Sequence, residues 1–102
     1  MAKKIEWTQT AIQDRYKIYE FWSQNNKSDL FSQKLEGLFN ESAKLISEFP
    51  EIGTQTDFPG LRVKTIRSYR LFYTDSDDTI RIIRVWDTRQ DPANLSFYKK
   101  AK

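Results

Sequence analysis

The chain has 102 residues, with 17 Lys and Arg, 14 Asp and Glu, and neither Cys nor His. This length predicts a single domain over residues 1–102 with a thin core. Without His or Cys the chain lacks the commonest general base and the usual zinc ligands, and it carries no nucleotide-binding fingerprint, so we expect no cofactor. The absence of disulfides, of a long apolar run and of a secretory signal predicts a cytoplasmic protein.

The charge is unevenly distributed along the chain. Residues 1–59 contain seven basic and nine acidic side chains, whereas residues 60–102 contain ten basic and five acidic ones. A basic half favours a polyanion or an acidic protein as its partner. An ordinary solvated basic surface explains the composition equally well.

The first two predicted elements are a strand and a helix. Polar and apolar residues alternate in Lys4–Trp7, which predicts a short strand. Thr8 or Thr10 caps a helix that we expect to end near Asn25. The predicted apolar stripe of this helix is Ala11, Ile12, Ile18, Tyr19, Phe21 and Trp22.

The second helix has the clearest period in the chain. Ser28 is its predicted cap, and Pro50 stops it because proline lacks the amide hydrogen. Its predicted core row is Phe31, Leu35, Leu38, Ser42, Leu45 and Phe49, flanked by Phe39 and Ile46. The short connection between the helices predicts an antiparallel hairpin that covers one face of a sheet. A coiled-coil dimer is the alternative, but strands on both sides favour a core stripe.

Three extended runs rich in aromatic and β-branched residues follow a predicted loop over Glu51–Gly60. They are Leu61–Ile66, Tyr69–Thr74 and Ile80–Trp86, joined at Arg67-Ser68 and at Asp75–Asp78. An antiparallel meander is the simplest arrangement, and the N-terminal strand joins it beside a strand that the pattern leaves open. The predicted fold is therefore α+β, with the order β-α-α-β-β-β and a two-helix hairpin packed on a mainly antiparallel sheet.

Basic residues are threaded through the meander. Because the helices need an apolar face to cover, we expect Arg62, Lys64 and Arg70 to share the open face with Phe72. Cations contact phosphates and exposed rings stack on unpaired bases, so this face is a candidate nucleic-acid surface. On pattern alone we favour the simpler explanation of outward residues on a one-sided sheet. The faces of Arg81 and Arg84 stay open.

The chain resembles the RelE/ParE superfamily of bacterial toxins from type II toxin–antitoxin modules. The resemblance covers almost the whole chain, and its residues are Ile5-Glu6-Trp7-Thr8, Ala11, Asp14, Pro50-Glu51-Ile52-Gly53, Tyr69-Arg70-Leu71-Phe72-Tyr73, Ile82-Ile83-Arg84-Val85-Trp86-Asp87 and Arg89. It implies a growth-arresting toxin and a cognate antitoxin that wraps around it and adds a helix or strand to it. A plain nucleic-acid-binding module, which needs no antitoxin, is the competing class.

Two activities share this fold within the superfamily. RelE-like toxins cut mRNA on the ribosome, whereas ParE-like toxins poison DNA gyrase and have no known nuclease site. The loop Pro50–Gly53 and the helix lengths resemble the ParE branch.

The central strand resembles the nuclease branch, in which an Arg follows a Tyr as Arg70 does here. This resemblance implies the catalytic residues Lys64, Arg70, Arg89 and Tyr98, with Lys64 as the first candidate base and Tyr98 as the second. It also implies the nucleic-acid-binding residues Arg62, Lys64, Arg70 and Phe72. The interpretation leans to ribosome-dependent mRNA cleavage, with ribosome and mRNA as partners, and keeps gyrase inhibition as the alternative.

Overall fold

Two helices cover one face of a mixed sheet in the computed structural model, which describes residues 2–89. The elements are β1 (Lys4–Trp7), α1 (Gln9–Asn26), α2 (Leu30–Glu48), β2 (Thr54–Gln55), β3 (Leu61–Ile66), β4 (Tyr69–Asp75) and β5 (Thr79–Asp87), with a 3-10 turn at Pro50–Ile52. The predicted α+β class and the helical hairpin on a sheet are confirmed. None of the helices in this part of the chain is long and apolar enough to cross a membrane.

The strands described by the structure lie in the order β1-β5-β4-β3-β2. β3, β4 and β5 form the predicted antiparallel meander, and β1 pairs with β5 in parallel. β2 lies inside the segment that was predicted to be a loop, and it pairs antiparallel with β3. Two residues are too few to show a strand period, which is why the sequence did not predict β2.

The helix ends follow from local hydrogen bonds. Thr8 is the cap of α1, because its hydroxyl oxygen accepts from the Ala11 amide at 3.1 Å. α1 ends at Asn26, and the next residue, Lys27, caps it with a φ of 52°, in the left-handed region that closes many helices. Ser28 accepts from the Leu30 amide at 3.2 Å, although the cap position itself belongs to Asp29.

The buried row of α2 is rotated from the predicted one. Leu35, Phe39, Ala43 and Ile46 are buried against the sheet. Leu45 and Phe49 were expected in the core, but they are 37% and 61% exposed. Both rows have helical spacing, and the true one contains a small Ala, so the apolar pattern alone favoured the larger side chains. In α1, Ile12 and Phe21 are likewise exposed rather than buried.

The face of the sheet opposite the helices carries a second apolar cluster. Its buried members are Leu61, Phe72 and Trp86. Phe58, from the connection between β2 and β3, packs against them together with Val63 and Ile83. This face is therefore partly apolar and differs from the open basic surface that the sequence predicted.

Candidate functional site

The register of the β3–β4 hairpin separates the predicted site residues. Lys64 pairs with Leu71, and Thr65 pairs with Arg70. Residues directly opposite each other on neighbouring strands share a face. Lys64 and Arg62 therefore lie on the face that the helices cover, whereas Arg70 lies on the other face. The prediction that these three cations share the open face is wrong.

Phe72 is in the wrong environment for stacking on a base. Its side chain is fully buried, in the cluster that also contains Leu61 and Trp86. Base stacking requires an accessible ring face. The prediction that Phe72 binds nucleic acid through its ring is therefore wrong, because the face it occupies packs into a small core of its own.

Arg62 is bound to the loop after α2. Its guanidinium donates to the Gly53 carbonyl at 2.7 Å and to the Glu51 carbonyl at 3.3 Å. The same loop is held by Tyr73, whose hydroxyl donates to the Pro50 carbonyl at 2.6 Å and accepts from the Gly53 amide at 2.9 Å. Burial raises the pKa of Tyr73, so its hydroxyl keeps the proton that it donates. Arg62 and Tyr73 together form what we call the loop clamp.

Lys64 and Arg70 are the two predicted site cations without a polar partner in the described part of the chain. Both side chains are half-buried, and neither makes a hydrogen bond or an ion pair with another residue between positions 2 and 89. Arg70 lies opposite Trp86 on β5, on the face away from the helices. The two cations are therefore available for a ligand, but from opposite sides of the sheet.

Arg89 is engaged at the end of β5. Its guanidinium donates to the Asp87 carboxylate at 2.6 Å and lies 5.6 Å from the centre of the Trp22 ring. This hydrogen bond lowers the pKa of Asp87 and raises the pKa of Arg89. Asp87 pairs with Tyr69 on the helix-covered face, so Arg89 and Arg70 are not brought together. Tyr98 lies outside the described residues.

Arg81 and Arg84, whose faces the sequence left open, are both ion-paired. Arg81 donates to Glu6 of β1 at 2.7 Å. Arg84 makes a two-pronged contact with Asp14 of α1, at 2.8 and 3.0 Å, and its guanidinium lies 5.2 Å from the centre of the Trp86 ring. These pairs attach β1 and α1 to β5.

A cavity of about 340 Å³ lies between α1 and β5. Its lining includes Asp14, Lys17, Ile18 and Phe21 from α1, and Val85, Trp86 and Asp87 from β5. The sequence analysis missed this site, apart from quoting some of its residues for the resemblance. No local pattern links residues 14–21 to residues 84–87, because their contact depends on how α1 follows β1 along the sheet edge.

The fold and the site can be compared with known proteins. A family model described as the ParE toxin of the type II toxin–antitoxin system parDE matches residues 5–92. The chain belongs to this ParE toxin family. It is therefore the toxin component of a type II toxin–antitoxin module. No curated protein matches the sequence significantly.

Solved structures similar to this ParE-family chain support the same fold. A chain of the chromosomal ParDE system from P. aeruginosa is 19% identical, with a TM-score of 0.73, covering 84% of this chain and 96% of that one. A mutant of E. coli RelE in the free state is 19% identical, with a TM-score of 0.63 and coverage of 99% and 95%. A chain of the E. coli DinJ–YafQ complex is 18% identical, with a TM-score of 0.51 and coverage of 93% and 98%. At such identities the likeness concerns the fold alone.

Proposed function

We propose that this ParE-family toxin arrests growth by inhibiting DNA gyrase, without a nuclease centre among its described residues. The observation that carries the proposal is the separation of Lys64 from Arg70 on opposite faces of the sheet. Cleavage of RNA by its 2′-hydroxyl needs a base, a proton donor and cations that converge on one phosphate. A gyrase inhibitor needs only a recognition surface.

The other predicted cations support the same proposal. Arg62 is bound to the carbonyls of Glu51 and Gly53, and Arg89 is bound to Asp87. Withdrawing either guanidinium to bind a phosphate would leave polar groups of the protein without their partner. Membership of the ParE family agrees with gyrase as the target.

Ribosome-dependent mRNA cleavage is the second candidate, and Arg70 is the observation that favours it. Arg70 has no partner among residues 2–89 and lies opposite Trp86, whose ring Arg84 also approaches. A guanidinium in that position would stabilise charge that develops on a phosphate. Lys64 lies on the other face, so the base would have to come from elsewhere.

We also propose a cognate antitoxin as the partner of this chain. The ParDE system of P. aeruginosa and the DinJ–YafQ complex of E. coli are toxin–antitoxin assemblies, and their folds are similar to this one. Co-expression with the adjacent upstream open reading frame should give a stable complex. Failure to co-purify with any small neighbouring product, together with normal growth on induction, would favour the plain nucleic-acid-binding module instead.

Alanine variants of the two free cations test the proposed activity in cells. Arg70→Ala and Lys64→Ala should retain most of the toxicity, because neither residue serves a chemical step in a gyrase inhibitor. In a nuclease, removing one transition-state cation costs about a hundredfold in rate. Induced cells are followed for mRNA 5′-ends and plasmid supercoiling in parallel, with Arg81→Ala as the matched variant of an exposed, ion-paired arginine. New 5′-ends at ribosomal positions that disappear in Arg70→Ala, with normal supercoiling, would make mRNA cleavage the correct activity.

A further inference from the structure

Two exposed cations hold a backbone conformation that glycine adopts more easily. Lys27 and Arg67 have φ angles of 52° and 54°, and within residues 2–89 they are the non-glycine residues with a positive φ. A side chain at such a φ costs free energy because its Cβ crowds the backbone, whereas glycine has no Cβ. Folds retain backbone strain mainly at functional sites. The two positions are therefore candidates for a role in binding.

Neither cation has a side-chain contact that would explain the strain. Both are exposed, and neither side chain makes a hydrogen bond, an ion pair or a ring contact with another residue between positions 2 and 89. The Lys27 amide donates to the Ser23 carbonyl, which any residue except proline could do. Arg67 lies in the two-residue turn between β3 and β4, where glycine is favoured at a positive φ. The charge is what these residues offer and glycine does not.

The two cations lie at one end of the molecule, which we call the turn end. It consists of residues 27–30, which connect α1 to the start of α2, and of the β3–β4 turn at Arg67-Ser68. The Trp22 indole, near the end of α1, donates to the hydroxyl of Tyr69, the first residue of β4, at 2.7 Å. This bond joins the end of α1 to the β3–β4 turn, so Lys27 and Arg67 share one end of the fold.

The turn end also carries an exposed apolar side chain. Leu30, the first residue of α2, is 77% exposed, the highest value for a large apolar residue in the described part of the chain. The next residue, Phe31, packs on Trp22 instead. Apolar contacts combined with charged ones are typical of protein interfaces. The exposed Asp29 beside Leu30 would repel a phosphate, so the chemistry favours an acidic protein surface over a nucleic acid.

We propose that the turn end is the surface with which this toxin recognises DNA gyrase. Lys27 and Arg67 bind acidic side chains of gyrase, and Leu30 makes an apolar contact beside them. The inference rests on gyrase as the proposed target. Lys64 and Arg70 are not part of this surface, which agrees with the expectation that their removal leaves most of the toxicity.

Glycine substitutions separate this role from a role in stability. The double variant Lys27→Gly/Arg67→Gly removes both charges and relieves the positive φ, so it should melt at or above the wild-type temperature. The same variant should need at least about tenfold more protein for half-inhibition of gyrase supercoiling. Loss of inhibition without loss of stability could not be attributed to unfolding. If the wild type inhibits gyrase and the double variant inhibits it equally, the inference is wrong and the proposed target stands.

Charge reversal tests the same surface with the strained backbone retained. Lys27→Glu and Arg67→Glu should each weaken inhibition by about tenfold or more. Lys44→Glu is the matched control, because Lys44 is an exposed cation of α2 without an ion pair among residues 2–89, about 21 Å from Leu30 along the helix. It should leave inhibition unchanged. An equal loss in all three variants would show that gyrase responds to net charge and not to the turn end.

Binding measured without DNA distinguishes the two classes of partner. The wild-type toxin should bind purified gyrase in the absence of plasmid, and the double glycine variant should bind at least about tenfold more weakly. Binding that requires DNA, and that the double variant loses, would assign the turn end to phosphates and overturn the inference. A wild-type toxin that neither binds gyrase nor inhibits supercoiling would instead refute the proposed function, and the inference with it.

Discussion

At the scale of single residues, the hydroxyl of Tyr73 explains the loop that follows α2. It donates to the Pro50 carbonyl and accepts from the Gly53 amide, at 2.6 and 2.9 Å. A Cβ atom at position 53 would lie 2.5 Å from that hydroxyl oxygen, so only glycine fits there. The Pro50–Gly53 motif therefore has a structural reason that requires no role in toxicity.

Removing the Tyr73 hydroxyl should destabilise the fold. Tyr73→Phe leaves the Pro50 carbonyl and the Gly53 amide without this partner, which costs about 1–3 kcal/mol of unfolding free energy. Tyr16→Phe is the matched control, because Tyr16 is 63% exposed and, among residues 2–89, its hydroxyl bonds to Glu20 alone. The unfolding free energy of Tyr16→Phe should stay within about 0.5 kcal/mol of the wild-type value. Equal urea midpoints for the two variants would show that the loop clamp contributes no stability.

At the scale of elements, the β3–β4 hairpin shows how far sequence reasoning reached. The predicted bounds of β3, Leu61–Ile66, are those of the structure. The faces were assigned wrongly because cations were taken to point away from the helices. Counting back from the two-residue turn pairs Lys64 with Leu71, so the sequence did contain the register. Lys and Arg can lie along an apolar face with their charge at its border, which makes charge a poorer guide than turn length.

The start of β4 and the end of β5 are both tied to α1 by a second set of contacts at the element scale. The Trp22 indole N–H donates to the Tyr69 hydroxyl at 2.7 Å, and Arg89 lies over Trp22 while it binds Asp87. The lowered pKa of Asp87 means that the folded state favours its ionised form. This pair stabilises the fold while Asp87 is ionised.

The contribution of Asp87 should vanish in acid. It is fully present above the pKa of an unfolded aspartate, about 3.9, and is lost as the pH falls through the lower folded value. The melting temperature of the wild type should exceed that of Asp87→Asn at neutral pH, and the difference should shrink below about pH 4. Asp77→Asn, in the exposed turn after β4, controls for the change in net charge. A difference that stays constant down to about pH 2 would contradict this role of Asp87.

At the scale of the whole molecule, features that depend on local sequence patterns were predictable, whereas features that depend on contacts between distant residues were not. The fold class follows from local periods and turn residues, which the sequence displays directly. The cavity between α1 and β5 depends on contacts such as Asp14 to Arg84, 70 positions apart. The register at the end of β5 depends on a bulge at Ile83 that no local pattern reveals. The excess of basic residues in residues 60–102 could be counted from the sequence. The strand register was needed to show that these residues lie on two faces of the sheet.

This distribution of charge over the whole molecule is the basis for choosing gyrase over mRNA as the target. Purified toxin added to DNA gyrase, ATP and relaxed plasmid tests that choice most directly, with ribosome-bound mRNA incubated in parallel. We expect supercoiling to be inhibited in proportion to added toxin, while the mRNA stays intact. Unimpaired supercoiling together with cleaved mRNA would contradict the proposal and would make Arg70 a catalytic cation.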